Sequence, residues 1–293
     1  DTSGEECTPV WALTGTYEHH ITADVGIAMW QYYCVTGDVE WLEETAWPVL
    51  KAVADFWVSR VHKNDDGSYS IINVVGADEY AENVDDNAFT NGAAKRVLRD
   101  VTKAAMVLDN PVDPRWMEIS DNLVFTYDAD GVTMEYTGYE GQLIKQTDVN
   151  MLAYPLGVVT DPEQTLRDIN YYFDRIDPNG PAMSNAIIAV LHARLGDPET
   201  AFKVFKKSYT DKLRPPFGVL SENANNSRVS FATGLGGILQ SVIFGFAGVD
   251  ITDKGIVQLP TRLPSHWKSL TVTGVGVDKQ TFRVENPDYK EIK

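Results

Sequence analysis

The sequence predicts a mainly helical globular protein with a short β-rich segment at its C-terminal end. Apolar residues recur at helical spacing from about residue 20 to residue 247. After Gly255 the pattern changes to short runs of β-branched residues separated by glycines. With 293 residues, 43% of them apolar, the chain can bury a large core. We therefore expect a helical domain over residues 1–250 and a β-rich appendage over residues 251–293.

The clearest helix is predicted over residues 39–61, behind Asp38 as its N-cap. Its apolar residues recur at intervals of three, four and seven: Leu42, Ala46, Val49, Val53, Phe56 and Trp57. Further helices are predicted over residues 22–35, 85–108, 113–123, 147–153, 162–175, 182–195, 198–208 and 232–246, about nine in all. Strands are predicted over residues 270–273 and 281–284.

The composition excludes several classes of function. The chain has 25 Lys and Arg against 42 Asp and Glu, a formal net charge of −17, so it repels phosphate backbones and we expect no nucleic-acid partner. No stretch approaches the roughly 20 apolar residues that a membrane span needs. Cys7 and Cys34 could pair or stay free, so they do not fix the redox compartment.

The densest polar segment covers residues 74–91, VVGADEYAENVDDNAFTN. It places Asp78 and Glu79 among further carboxylates, amides and aromatic rings. Carboxylates and amides bind sugar hydroxyls, and a carboxylic acid beside apolar groups can keep its proton near neutrality. This composition is typical of a sugar cleft. The alternative, which the segment taken alone favours, is that Asp85 and Asp86 cap the following helix and the rest is a solvated loop.

Two further segments carry candidate site residues. Lys145 and Gln146 precede the predicted helix at 147–153, where they could bind hydroxyls or simply form an exposed junction. Glu222 lies in RPPFGVLSENANNSRVSFATGLGG, residues 214–237, whose prolines and glycines allow close backbone packing. A lone Glu in such a loop is more often an ordinary surface residue than a functional one.

Three residues near the N-terminal end are weaker candidates. His20 lies at the start of a predicted helix with Asp24 nearby, and because a metal needs three or four converging ligands, a structural or sugar-facing role is favoured over metal binding. Trp11 and Glu6 lie in or beside the GEEC run, and Trp11 is a candidate sugar platform. We expect no metal and no cofactor.

Five segments together resemble glycoside hydrolase family 65. They are GEEC with the following Trp at 4–11, HITADVGIAMWQYYCVTGD at 20–38, GADEYAENVDDNAFTN at 76–91, IKQTDV at 144–149 and GPAMSNAI at 180–187. The resemblance covers residues 3–250 in the right order. It implies an (α/α)6 barrel of twelve helices, of which about nine are recognised here. It therefore also implies an N-terminal part of the same polypeptide, as a linked or separate chain, and a homodimer is among the assemblies left open.

The resemblance also implies residue roles. Glu79 is similar to the family's general acid, and Lys145 and Gln146 to its ligands for the glucose in the −1 subsite. The SEN sequence at 221–223 resembles the hydrolase subgroup, in which the Glu is the general base, rather than the phosphate-binding loop of the phosphorylases. Asp78, Trp11, Glu6 and His20 are expected to contact substrate as well. Ala77 and Ala81 depart from the family's commoner Pro and His, which affects the rim of the site.

The activity implied is inverting hydrolysis of an α-glucoside, with water as the nucleophile and no cofactor. Kojibiose, trehalose, nigerose and maltose all present the same glucosyl unit, and we favour an α-1,2-linked or related glucobiose. A phosphorylase and a noncatalytic sugar-binding relative are the alternatives. The substrate class, rather than any segment of the chain, suggests a periplasmic or secreted location.

Overall fold

Helices form most of the structure. The computed structural model describes residue 5, residues 8–226 and residues 230–290. The α-helices are α1 (Thr14–Tyr17), α2 (His20–Thr36), α3 (Val39–Trp41), α4 (Trp47–Arg60), α5 (Ala88–Val107), α6 (Pro114–Asn122), α7 (Pro162–Tyr172), α8 (Met183–Arg194), α9 (Pro198–Lys207) and α10 (Ala232–Gln240). π-helical turns cover Leu42–Ala46 and Ser241–Phe246, and 3-10 turns cover Val149–Leu152 and Phe173–Arg175. The prediction of a mainly helical protein is confirmed.

The helix predicted over residues 39–61 is a continuous run made of α3, the π-helical turn at 42–46 and α4. Its N-cap is Asp38, whose Oδ1 accepts the Trp41 N–H at 2.9 Å. The helix predicted over residues 147–153 is instead a single 3-10 turn. Pro155 follows closely, and because proline has no N–H and disfavours helical geometry in the preceding residue, the turn cannot extend into a longer helix.

Helix α5 forms the centre of the larger core cluster, where it packs against α2, α4 and α6. The approach of α2 is close because Gly26 has no side chain: a Cβ there would lie 2.6 Å from Cγ2 of Val97. The N-cap of α5 is Asn87, whose Oδ1 accepts the Thr90 N–H at 2.8 Å. The alternative in which Asp85 and Asp86 cap this helix is therefore wrong.

Four antiparallel hairpins complete the described structure. They pair β1 (His62–Lys63) with β2 (Tyr69–Ser70), β3 (Leu213–Arg214) with β4 (Val219–Leu220), β5 (Val249–Thr252) with β6 (Gly255–Gln258), and β7 (Ser269–Val275) with β8 (Gln280–Glu285). The strands predicted at 270–273 and 281–284 fall inside β7 and β8. The strands of the C-terminal appendage begin earlier than expected, at β5, directly after Gly248, which has a positive φ of 67°.

The C-terminal hairpins share a second core cluster with the helices. Phe246, Leu263 and Val284 pack there with the buried faces of α8 and α9. Polar contacts add to this junction: Asp253 pairs with Lys103 at 2.8 Å, and Asp250 pairs with Arg194 at 2.9 Å. The hairpins and the helical part are therefore packed together.

The connections between helices are long, and they carry most of the predicted site residues. Residues 61–87 lie between α4 and α5, residues 123–161 between α6 and α7, and residues 208–231 between α9 and α10. Such segments on a helical scaffold are common positions for functional side chains. In the part of the chain that is described, no helix is both long and apolar enough to cross a bilayer.

Candidate active site

The loop that carries Glu79 is folded tightly onto itself. Val74 and Val84 exchange backbone hydrogen bonds of 2.9 and 3.0 Å, and within this pair the Ala81 N–H donates to the Asp78 carbonyl at 3.0 Å. The loop requires a glycine at position 76, because a Cβ there would lie 2.6 Å from Nδ2 of Asn87. The predicted sugar-binding segment is therefore an ordered loop with defined side-chain positions.

Asp148 fastens this loop to the start of α5. The side chain is 1% exposed, and its two oxygens accept the Ala77 N–H at 3.1 Å, the Phe89 N–H at 3.1 Å and the Nδ2 of Asn87 at 2.9 Å. Burial raises the pKa of Asp148 to about 6, although its three donors act in the opposite direction. Sequence reasoning did not select Asp148. The only signal was its position in the IKQTDV segment.

Glu79 lies at the surface of the loop and is paired with the two residues that were predicted to bind glucose. Lys145 Nζ is 2.7 Å from Oε2 of Glu79, and Gln146 Nε2 is 3.3 Å from its Oε1. Gln146 also donates to the Ala77 carbonyl at 2.6 Å. The carboxylate remains accessible, because the Glu79 side chain is 36% exposed.

Asp78 points the other way, into the protein. It is 2% exposed, and its Oδ1 accepts the backbone N–H of Lys145 at 2.7 Å and of Tyr80 at 3.2 Å. Burial raises the pKa of Asp78, while these donors lower it. The side chain of Asp78, which was predicted to contact substrate, is thus bound to the backbone of Tyr80, the residue after Glu79, and of Lys145, the ion-pair partner of Glu79.

His20 and the unpredicted residue Glu18 lie beside this cluster. His20 Nδ1 is 3.1 Å from Asp24 Oδ2, and its ring packs edge-on against Phe89 at 5.0 Å between centroids. Burial raises the pKa of Glu18, the His20 charge lowers it, and the Glu79 charge raises it. Glu18 is therefore close enough to interact electrostatically with the candidate acid. Its sequence signal was weak, since it lies just outside the HITAD motif.

A cavity of about 300 Å³ lies beside Glu18, His20 and Gln146, but neither Glu79 nor Glu222 lines it. Its polar lining includes Glu18, His20, Asp24 and Gln146, and its apolar lining includes Phe89, Met151 and Ile187. A few polar groups that converge on a partly apolar hollow are typical of a small-molecule site.

Glu222 lies in a second loop, after β4. It is half-buried, and its Oε2 accepts a hydrogen bond from Asn226 Nδ2 at 3.1 Å. Its carbonyl accepts the Ala182 N–H at 2.8 Å. Arg214 supports the loop by donating to the carbonyls of Asn223, Ala224 and Asn226 at 2.9, 2.8 and 3.0 Å.

Residues 176–184 contact both loops. On the Glu79 side, Tyr80 Oη donates to Asp177 at 3.0 Å, and a Cβ on Gly180 would lie 2.3 Å from the Lys145 carbonyl oxygen. On the Glu222 side, Ala182 binds the Glu222 carbonyl, as described above. The loops that carry the two candidate carboxylates, which are 143 residues apart in sequence, therefore both contact one short segment.

The remaining predicted residues lie apart from this cluster or outside the described residues. Trp11 is 78% exposed and is not among the residues that line the cavity. Glu6 and Cys7 lie outside the described residues. Cys34 is a free thiol, and burial raises its pKa to about 11. Within the described ranges, no three His, Cys, Asp or Glu side chains are grouped so as to hold a metal ion.

Comparison with known proteins places these features in a family. The sequence profile of the glycosyl hydrolase family 65 central catalytic domain matches residues 2–140. The chain is 50% identical over 284 residues to a kojibiose hydrolase from Mucilaginibacter mallensis, with 97% of this chain and 42% of the relative covered. It is 52% identical over 282 residues to a kojibiose hydrolase from Flavobacterium johnsoniae, with 96% and 41% covered.

A solved structure shares the fold. It is provisionally assigned as a kojibiose phosphorylase from the human microbiome, and it aligns with a TM-score of 0.75 at 17% identity over 97% of this chain and 47% of the other. The chain spans about two fifths of the length of the two hydrolases that it resembles. The motifs, the matched profile and the relatives agree: the chain belongs to glycoside hydrolase family 65.

Proposed function

We propose that this chain forms the larger part of the catalytic domain of an inverting α-glucoside hydrolase of the kojibiose hydrolase type. The observation that carries the proposal is the arrangement of Glu79 and Glu222 on two loops that contact the same segment, residues 176–184. One loop presents Glu79 with Lys145 and Gln146, and the other presents Glu222. The two kojibiose hydrolases that are 50% and 52% identical support the substrate class.

In this mechanism Glu79 is the general acid, and it protonates the glycosidic oxygen as the bond breaks. Glu222 is the general base, and it takes a proton from the water that attacks the opposite face of the sugar. Inverting enzymes place such a pair roughly 6.5–9.5 Å apart, which leaves room for that water. Lys145 and Gln146 bind hydroxyls of the glucose that is held between the two carboxylates, and no cofactor takes part.

The carboxylate of Glu222 favours hydrolysis over phosphorolysis. Phosphate is already anionic and needs no general base, and a carboxylate in the nucleophile's loop would repel it. Glu18 and His20 contribute the polar wall of the 300 Å³ cavity and orient the sugar from the side of α2. Trp11 and Glu6 are assigned to the rim, on the strength of the family resemblance alone.

We propose that the fold is an incomplete (α/α)6 barrel over residues 1–250, with a β appendage over residues 251–293, and that a further segment of the same polypeptide completes the barrel. The fraction of the relatives' length that is covered supports this. So do apolar side chains exposed on two helices: Ile21, Val25 and Tyr32 on α2 are 52%, 45% and 48% exposed, and Leu239 on α10 is 62% exposed.

The test is product analysis by NMR with the intact protein on a panel of α-glucobioses. We expect kojibiose to be cleaved fastest, with β-glucose as the first product and a rate that does not depend on phosphate. Release of β-glucose 1-phosphate that requires phosphate would replace hydrolysis by phosphorolysis. Binding of the sugars without any turnover would leave a noncatalytic sugar-binding protein.

A further inference from the structure

Three carboxyl groups lie buried beneath the Glu79 loop. Asp78, Asp148 and Glu135 are 2%, 1% and 0% exposed. Glu135 lies in the long connection between α6 and α7, and its backbone carbonyl accepts the Ala88 N–H at 2.7 Å, which fixes it against the start of α5. Sequence reasoning gave Glu135 no role.

Hydrogen-bond donors are distributed unequally among the three groups. Asp148 receives three donors and Asp78 receives two backbone N–H groups, as described above. Neither Oε1 nor Oε2 of Glu135 receives an N–H or O–H from the residues described, although both atoms are buried. A buried ionised carboxylate without donors is strongly disfavoured, whereas a neutral carboxyl group needs only one acceptor for its own proton.

The groups that face Glu135 offer acceptors rather than donors. Besides Asp78 and Asp148, its titratable neighbours are the phenols of Tyr136, Tyr139 and Tyr172. Tyr172 Oη donates to the Thr133 carbonyl at 2.8 Å, and Tyr139 Oη donates to the Gln142 carbonyl at 2.6 Å. No Lys or Arg forms an ion pair with Glu135 within the described part of the chain.

Electrostatics agree with this geometry. Burial raises the pKa of Glu135 well above its ordinary value, and the charges of Asp148 and Asp78 raise it further. The Glu135 and Asp78 carboxyl groups are close enough to share a proton, and this interaction lowers the pKa of Asp78 and raises that of Glu135. That assigns the shared proton to Glu135.

We propose that Glu135 is a positioning residue that keeps its proton at neutral pH and donates it in a hydrogen bond to the Asp78 carboxylate. This inference rests on the proposed function, because Asp78 in turn holds the backbone of Tyr80 and Lys145. Glu135 therefore acts through Asp78 on the backbone beside Glu79 and beneath its partner Lys145.

Proton linkage tests the protonation state without reference to activity. A folded-state pKa above the unfolded value means that unfolding releases a proton, so stability falls as pH rises from about 4.5 towards the folded-state pKa. We expect the unfolding constant of the intact wild type to increase with pH more steeply than that of Glu135→Gln between pH 5 and 8. The difference in slope should be at most about tenfold per pH unit. Denaturant titration measures this difference. Glu140→Gln, which removes an exposed carboxylate from the same loop, should keep the wild-type slope.

Equal slopes for the wild type and Glu135→Gln would overturn the proposal, because Glu135 would then be ionised and bound to water.

Activity tests the positioning role. Glu135→Gln keeps a donor for Asp78 and should retain kcat within about threefold, whereas Glu135→Met has similar size without a donor and should lower kcat about tenfold or more with less effect on KM. Equal kcat values for the two variants would rule out positioning through this hydrogen bond. If the slopes differ as expected but the wild type cleaves no α-glucoside, the proposed function fails and the protonation of Glu135 stands.

Discussion

The loop of Glu79 and the loop of Glu222 are supported in different ways. The Glu79 loop is held from below by buried side chains, chiefly Asp148 and Asn87, each of which is at most 1% exposed. The Glu222 loop is held from the side by the partly exposed guanidinium of Arg214, which donates to main-chain carbonyls. One loop is part of the core, and the other is attached to it.

This difference in support predicts different effects of substitutions on stability and on catalysis. A buried carboxylate with three donors contributes to folding as well as to the shape of the loop, because its removal leaves donors unsatisfied. A partly solvated arginine can be replaced with less loss, since water can reach the carbonyls it leaves. We therefore expect damage to the Glu79 side to lower both stability and activity, and damage to the Glu222 side to lower mainly activity.

The largest expected effects come from the two carboxylates themselves. Glu79→Gln and Glu222→Gln should each lower kcat on kojibiose by about a thousandfold or more, consistent with the 10²–10⁴ that general acid–base catalysis typically contributes. An α-glucosyl fluoride distinguishes the two roles, because fluoride leaves without protonation. Glu79→Gln should turn it over at a substantial rate and Glu222→Gln should not. The reverse pattern would exchange the two assignments, and normal turnover of kojibiose by either variant would remove that residue from the mechanism.

The next largest effect is expected at Asp148. In Asp148→Asn an amide NH₂ faces at least one N–H donor, so we expect the free energy of unfolding to fall by about 2–4 kcal/mol and kcat to fall with it. Because the folded-state pKa of about 6 lies above the ordinary value, this group makes the wild type less stable as pH rises from about 4 to about 6. The slope should be shallower in the variant. Denaturant titration measures both, with the exposed Asp130→Asn as control; unchanged stability would show that the Glu79 loop does not depend on Asp148.

A smaller effect on stability, with a clear effect on activity, is expected at Arg214. Arg214→Ala should lower kcat by about 10- to 100-fold, because the Glu222 loop loses its fixed position, while the free energy of unfolding falls by about 1 kcal/mol. Kinetics and thermal unfolding of the same sample measure the two quantities. Arg283→Ala, on the exposed face of β8, is the matched control. A loss of stability as large as that in Asp148→Asn would contradict the distinction between the loops.

The smallest effect is expected at Tyr80. Tyr80→Phe removes the 3.0 Å hydrogen bond to Asp177 on an exposed surface, which is worth about 0.5–1 kcal/mol, so kcat/KM should fall about two- to fivefold. The exposed Tyr127→Phe should be neutral in the same assay. A loss of a hundredfold would mean that Tyr80 itself contacts the substrate.

The sequence predicted the helices and the exposed residues of the site better than the buried residues that hold the site in place. Helical spacing and caps such as Asp38 are local signals, and they located the helices to within a few residues, except at 147–153, which forms only a 3-10 turn. Glu79, Lys145 and Gln146 were selected from motifs, and the structure brings these three together. The roles given to them are still proposals.

The buried supports could not be predicted in the same way. Asp148 and Glu135 are separated from Glu79 by 69 and 56 residues, and their function follows from burial and from which donors reach them. Both are properties of the tertiary structure. An isolated Asp or Glu in a loop gives no sequence signal of being buried, and for that reason Glu18 was missed as well.

The contact at Gly180 limits how the proposed active site could be redesigned. Any side chain at that position would collide with the main chain of residue 145, so residues 144–148 and 176–184 cannot be moved independently. A loop transplanted from a relative with different linkage preference would have to bring residues 144–148, 176–184 and 220–226 as one block. Libraries that randomise a single one of these segments should yield mostly inactive variants, whereas exchanges of the complete block should retain function more often.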